Sequence, residues 1–173
     1  MNNTNMVVRL LNNDENYLKY YFEALNFDDS HSWILDQYSK DNIIFDIDEA
    51  RLSAFTFGLF NEDELIGMAN IIFECDELGK INFNISLIIK PNLRNKGLGS
   101  YFLNFLLELI KEKYKMIDSL NAIILSDNLV SEKLFTKFGF VFNDFSKIDN
   151  QNVGNYIYKF NRNKEIKKEM SQI

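Results

Sequence analysis

The stretch Pro91-Asn92-Leu93-Arg94-Asn95-Lys96-Gly97-Leu98-Gly99-Ser100 joins two segments of opposite periodicity, and it limits the fold more than any other part of the chain. Before it, Ile81, Phe83, Ile85, Leu87 and Ile89 alternate with Asn82, Asn84 and Ser86, the period-two pattern of a strand over 81–90. After it, Leu98, Tyr101, Phe102, Phe105, Leu106, Leu109 and Ile110 recur at helical spacing on one face. A basic, glycine-bearing loop at a helix N-terminus can hold an anion. The first helical N–H groups lack intrahelical partners, the dipole end is positive, and Gly97 and Gly99 let an anion reach the backbone. Arg94 and Lys96 add full charges. The same residues also suit a plain strand–turn–helix junction with a solvated basic turn.

A second element about thirty residues on favours the first reading. Asn128-Leu129-Val130-Ser131-Glu132-Lys133-Leu134-Phe135-Thr136-Lys137-Phe138-Gly139-Phe140 follows an apolar strand over 122–125. It reads as a short helix carrying Leu134, Phe135 and Phe138, with Gly139 just past its end, where a left-handed backbone is needed. Phe140 then begins a new strand. The RxxGxG loop after one strand and this second motif after the next resemble the GNAT superfamily of acyl-CoA-dependent N-acyltransferases. The resemblance is firm over 81–140 and looser, by order of elements, over 6–160.

The chain has 173 residues and is 46% hydrophobic, enough for one core, so a single domain over 1–173 is expected, with its core at about 6–160 and a tail at 161–173. Sixteen Phe and eight Tyr against a single Pro argue against disorder. Residues 1–5 are polar, no apolar run approaches a membrane span, and Cys75 stands alone, which excludes a disulfide framework and a cysteine metal cluster. A soluble, cytoplasmic protein without metal is the expectation. Charge is divided: residues 1–86 hold 16 acidic against 5 basic side chains, residues 87–173 hold 9 against 14, for a net of −6. The acidic half would attract a cationic partner and disfavour nucleic acid, or it serves solubility alone.

Along the chain, a strand is expected at 6–11, followed by a helix capped by Asn12 or Asn13 and carrying Tyr17, Leu18, Tyr21, Phe22 and Leu25. A second short helix is expected at 32–38, with 48–51 extending that region. Strands at 52–60 and 65–74 flank Asn61-Glu62-Asp63-Glu64, a hairpin signal without glycine. Further strands are expected at 120–126, 140–145 and 156–160. Periodicity alone gives an α/β or α+β domain with one strand–helix crossover. The resemblance implies more: a mixed, mostly antiparallel sheet flanked by helices, in which the fourth and fifth strands splay and the pantetheine arm of acetyl-CoA fills the gap.

On that resemblance, the pyrophosphate of acetyl-CoA rests on backbone N–H groups of Arg94, Asn95, Lys96, Gly97, Leu98, Gly99 and Ser100. Ile88 and Ile89 pair their backbone with the pantetheine amides, Asn128 hydrogen-bonds the arm, and Phe135 packs beside the thioester. Asn128 also sits where a helix cap belongs, and the two roles are compatible. Lys133 and Lys137 form a solvated face or assist the ribose phosphate. The slots that such families give to a catalytic acid or base hold Phe83, Ile123 and Phe135 here, all apolar, so those assignments are not carried over. The polar alternatives are Glu74, which is favoured, and Asp76, Asn84, Ser86, Ser126 and His31, with Phe27, Trp33 and Tyr38 as acceptor-pocket aromatics or as core. The expected reaction is acetyl transfer from acetyl-CoA, by direct attack on the thioester, to a primary amine of a small cationic molecule such as a polyamine or an aminoglycoside-like compound. Acetylation of a protein N-terminus or lysine, and a non-catalytic acyl-CoA-binding module, are the alternatives. Neither nucleic acid nor membrane is an expected partner, and a homodimer is left open.

Overall fold

The computed structural model describes residues 6–27, 54–75, 79–148 and 150–161. The expected helices at 32–38 and 48–51, the side chains of His31, Trp33, Tyr38 and Asp76, and the tail beyond 161 lie outside the described residues. In chain order the elements are β1 (Met6–Leu10), α1 (Tyr17–Leu25), β2 (Ala54–Asn61), β3 (Glu64–Cys75), β4 (Ile81–Ile89), α2 (Leu98–Lys113), β5 (Ser119–Leu125), α3 (Leu129–Lys137), β6 (Val141–Ile148) and β7 (Gln151–Lys159). A 3₁₀ turn, Pro91–Leu93, links β4 to the loop before α2. No helix among the described residues is long and apolar enough to cross a membrane.

The strands form one sheet in the order β1-β2-β3-β4-β5-β7-β6. Every neighbouring pair is antiparallel except β4 and β5, which run parallel because the α2 crossover returns the chain to the same end of the sheet. The two halves are continuous ladders. β3 and β4 stay in register from Gly67↔Ile89 to Cys75↔Ile81, and β5 and β7 from Ser119↔Lys159 to Leu125↔Val153. Between the halves, β4 and β5 meet at a single pairing, Asn84↔Asn121. Beyond it, towards Ile89 and Leu125, the strands splay as the fold class requires.

Each face of the sheet is covered differently. α2 and α3 pack on one face, where Leu98, Phe102, Leu103, Leu106, Ile110 and Phe135 meet Ile85, Ile89, Leu120, Ala122 and Ile124. Burying each such side chain contributes about 1.5–3 kcal/mol before entropic losses. The buried stripe of α2 is rotated from the expected one: Leu103 and Leu107 are inside, while Phe105 is 38% exposed. A stripe centred on 102 and 106 takes 103 and 107 on its flank and leaves 105 at its far edge. α1 packs on the opposite face, placing Tyr17, Tyr21 and Ala24 against Leu11, Phe60, Leu65 and Met68.

The start of α1 differs from expectation. The helix begins at Tyr17, and neither Asn12 nor Asn13 caps it. Asn12 Oδ1 instead accepts the backbone N–H of Thr56 at 2.9 Å, next to the Leu11 N–H that donates to the Thr56 carbonyl at 2.8 Å. The asparagine therefore stitches the β1–α1 connection to β2. The β2–β3 turn closes on Asn61↔Glu64 as expected, with Glu62 taking φ +57° in place of a glycine.

Thr56, fully buried, is also met by the Tyr17 hydroxyl at 3.3 Å. Replacing Tyr17 by Phe leaves the ring in place and removes this bond, so stability should fall by about 1–2 kcal/mol. Urea unfolding with an unchanged denaturant slope checks this; a shift below about 0.3 kcal/mol would show that the contact does not hold α1 to the sheet.

Candidate functional site

The splay between β4 and β5 opens a cavity of about 310 Å³. Its walls are Ile85 to Ile89 of β4 and Ile123 to Leu125 of β5, its mouth is Arg94, Asn95 and Gly99, and α3 contributes Ser131, Leu134 and Phe135. The backbone along its edge is set by strand parity. The Lys90 N–H donates to the Ile66 carbonyl on β3 at 2.9 Å, and backbone groups alternate sides along a strand. Ile88 therefore turns its N–H and C=O towards β3 with Lys90, and Leu87 and Ile89 turn theirs into the gap. This corrects the expectation for Ile88: the backbone facing the gap is that of Leu87 and Ile89, and of these four groups the Ile89 carbonyl already accepts Arg94 Nε.

At the mouth, the loop before α2 has left-handed backbone at Asn95, φ +60°, and at Gly97, φ +81°. Alternating left- and right-handed residues turn successive N–H groups towards one concavity, which suits an anion. The first helical hydrogen bond runs from the Tyr101 N–H to the Gly97 carbonyl at 3.0 Å. The N–H groups of Asn95, Lys96, Gly97, Leu98, Gly99 and Ser100 have no acceptor among the described residues. The Arg94 N–H is different, since it donates to the Pro91 carbonyl at 3.2 Å, and it leaves the set expected from the sequence. A Cβ at Gly99 would lie 3.4 Å from Leu134 and 3.9 Å from Leu87, so the bare backbone there keeps the inner wall open.

The side chains of the basic loop also depart from expectation. Arg94 is half-buried; its Nε donates to the Ile89 carbonyl at 2.9 Å and its Nη2 to the Phe27 carbonyl at 2.7 Å. The guanidinium thus ties the end of β4 to the residue that follows α1, while Arg94 also lines the mouth. Lys96 Nζ donates to the Asn92 carbonyl at 3.0 Å across the exposed turn. The fork of a guanidinium reaches the Ile89 and Phe27 carbonyls at once.

On α3, Asn128 Oδ1 accepts the Ser131 N–H at 3.1 Å and caps the helix, as one of its two expected roles required. Asn128 also lines the cavity. Phe135 is buried on the cavity wall, with its ring edge-on to Phe140 at 5.0 Å. Gly139 takes φ +91° after the helix, as expected. Behind α3, burial first and the Glu132 carboxylate second raise the pKa of the Tyr156 phenol above its ordinary value.

Among the catalytic alternatives, Ser86 lines the cavity and Glu74 does not. Glu74 is exposed, pairs with Asn82 beyond the point where β4 and β5 rejoin, and accepts the Asn84 amide at 3.0 Å. Four residues of strand separate it from the Asn70↔Ser86 pair, about 13 Å. Ser126 donates to the Asn152 carbonyl outside the cavity, and Lys133 and Lys137 are exposed. Phe27 is core, packed with α1. Sequence reasoning missed Asn70, a half-buried amide on the cavity wall; its signal is a lone polar residue inside the apolar run of β3. Among the described residues no group of three His, Cys, Asp or Glu side chains is placed to hold a metal.

The Arg94 clamp is testable. Arg94→Ala should lower stability by about 2 kcal/mol, because two carbonyls lose a charged donor, and Arg94→Lys should recover little of it since one ammonium cannot span both. Urea unfolding of the three proteins measures this. An Ala variant within about 0.5 kcal/mol of the parent would show that the guanidinium holds nothing together.

The fold agrees with the comparisons. The acetyltransferase (GNAT) family model matches residues 14–140. No curated protein matches the sequence. Among solved structures, an acetyltransferase of the GNAT family from Streptococcus pneumoniae superposes with a TM-score of 0.69 at 16% identity, covering 90% of this chain and 99% of that one. A spermidine N-acetyltransferase from Vibrio cholerae, in complex with CoA and spermine, gives 0.65 at 17% identity over 91% and 96% of the two chains. A ribosomal L7/L12 alpha-N-protein acetyltransferase in complex with coenzyme A gives 0.70 at 14% identity over 91% and 95%. These likenesses are of fold, while the family match spans most of the chain, from the β1–α1 connection through α3 to Phe140. The chain belongs to the GNAT acetyltransferase family.

Proposed function

We propose that the protein transfers the acetyl group of acetyl-CoA to a primary amine of a small cationic molecule by direct attack on the thioester. The observation that carries this reading is the interrupted sheet: a gap edged by the Leu87 backbone and the Ile89 N–H, ending at a mouth of six N–H groups. An extended chain of amides with a pyrophosphate at its end matches both parts. In this reading the N–H groups of Asn95 to Ser100 take the pyrophosphate, Leu87 and Ile89 pair with the arm, the Asn128 NH₂ donates to it, and Phe135 packs against the acyl end.

Acetyl-CoA supplies the acyl group activated as a thioester. The amine, once deprotonated, forms the C–N bond as the C–S bond breaks, and its second proton leaves with the thiol, giving an amide and free CoA. The apolar Ile123 and Phe135 exclude water at the acyl end and offer no proton acceptor there. Asn70 and Ser86 are the polar side chains left at the inner wall, and they orient the amine while the proton departs through water. Holding the reactants in register can alone contribute roughly 7–11 kcal/mol to lowering the barrier. The acidic balance of residues 1–86 supports a cationic acceptor by steering it electrostatically.

Release of free thiol from acetyl-CoA across a panel of monoamines, diamines and polyamines tests the reaction. Turnover is expected, fastest with polycations and falling as salt rises. Tight CoA binding with no thiol release for any amine would make the protein a binding module instead. Asn128 separates its two roles: Asn128→Asp keeps the capping oxygen and loses the NH₂, so stability should hold while CoA affinity drops severalfold. Asn128→Ala should lose affinity and also about 1 kcal/mol of stability. Unchanged affinity in both variants would remove Asn128 from the cofactor site.

A further inference from the structure

The sheet face opposite α2 and α3 carries a row of side chains that crosses the gap. Asn70 pairs with Ser86. Because Asn84 pairs with Asn121, Ser86 and Ile123 stand opposite each other two residues further on, where the strands have parted. Ile123 pairs with Asn155, and Asn155 with Asp144. The facing is independently fixed, since Ala122, Ile124 and Tyr156 all enter the core under α2 and α3, which turns Ile123 and Asn155 the other way. The row therefore reads Asn70, Ser86, gap, Ile123, Asn155, Asp144.

Asp144 is held in an unusual manner for an exposed carboxylate. Asn155 Nδ2 donates to its Oδ1 and Asn143 Nδ2 to its Oδ2, the latter at 2.6 Å, while Asn155 also reaches Ser146 Oγ at 3.1 Å. Two neutral amides orient the carboxylate, and no lysine or arginine among the described residues forms an ion pair with it. Each oxygen retains a lone pair for another donor. Strand spacing places Asp144 about 10 Å from Ile123, across two neighbouring strands. Ile123 offers an apolar floor between the reacting end of the row and the charged end.

We propose that Asp144, oriented by Asn155 and Asn143, seats a second ammonium of the acceptor, so that the preferred acceptors are linear diamines and polyamines long enough to reach from the gap to β6. The seat rests on the acetyl-transfer reading and gives that site its substrate class. The reacting amine lies in the gap by Ser86, the methylene chain crosses Ile123, and the distal ammonium reaches the carboxylate. A monoamine gains nothing from it.

The test compares wild type with Asp144→Asn, a surface change that keeps one capping oxygen. The ratio of triamine to monoamine kcat/KM should fall about tenfold, through KM for the triamine rather than kcat, as expected when one charge-assisted contact made equally in ground and transition states is lost. Calorimetry of a linear triamine binding to the CoA-loaded protein should show the same loss in affinity. A ratio and a triamine affinity that both match wild type would overturn the seat even if acetylation is robust. If no amine is turned over, the transfer reading fails, and the calorimetric arm still decides the seat: weaker triamine binding in the variant supports it, and equal binding overturns it.

Discussion

The parallel join between β4 and β5 governs the rest of the molecule. Two antiparallel half-sheets meet there at one pairing, Asn84↔Asn121, and then separate. Buried backbone groups without partners cost free energy, so a sheet does not open in this way unless both halves are held from elsewhere. Here α2 packs across the join, with Phe102, Leu106 and Ile110 meeting residues of both halves, and Phe135 of α3 closes the same face. The apolar packing holds the strands apart, and in the proposed reading a bound extended chain relieves the polar cost of the gap.

The loop at the mouth extends the same logic. Its N–H groups point outward because Asn95 and Gly97 take left-handed backbone, a conformation held from behind by Arg94 on the Ile89 and Phe27 carbonyls. The most basic residue of the loop thus acts on the protein rather than on a ligand. In the proposed reading, anion attraction falls to oriented peptide dipoles at the start of α2. On α3 the oxygen of Asn128 caps the helix, and the same residue lines the cavity.

Much of this was legible in the residues. The alternation over Ile81 to Ile89, the glycines of the loop, and the Asn128 to Phe140 segment identify the crossover and both cavity walls, because each depends on local periodicity or on a backbone conformation that glycine permits. What was not legible depends on registers between distant strands. Nothing local distinguishes Ile88 from Leu87 as the residue whose backbone faces the gap; the pairing of Lys90 with Ile66 decides it. Arg94 reads as a free charge until the Phe27 carbonyl, 67 residues earlier, is placed beside it. Glu74 looked close to the site because it ends an adjoining strand, yet the antiparallel register sends it beyond the join. Asn70 is separated from Asp144 and Asn155 by the whole crossover in sequence, and the three align only across the assembled sheet.

The central claim is that the gap is a vacant strand position which acetyl-CoA occupies. Amide hydrogen exchange along β4, followed residue by residue with and without acetyl-CoA, tests it most directly. The Leu87 and Ile89 amides should exchange readily in the free protein and slow by at least about tenfold on binding, while Ile88, turned to β3 throughout, follows only global stability. If Leu87 and Ile89 exchange unchanged with acetyl-CoA demonstrably bound, the ligand does not complete the sheet and the account of the gap is wrong.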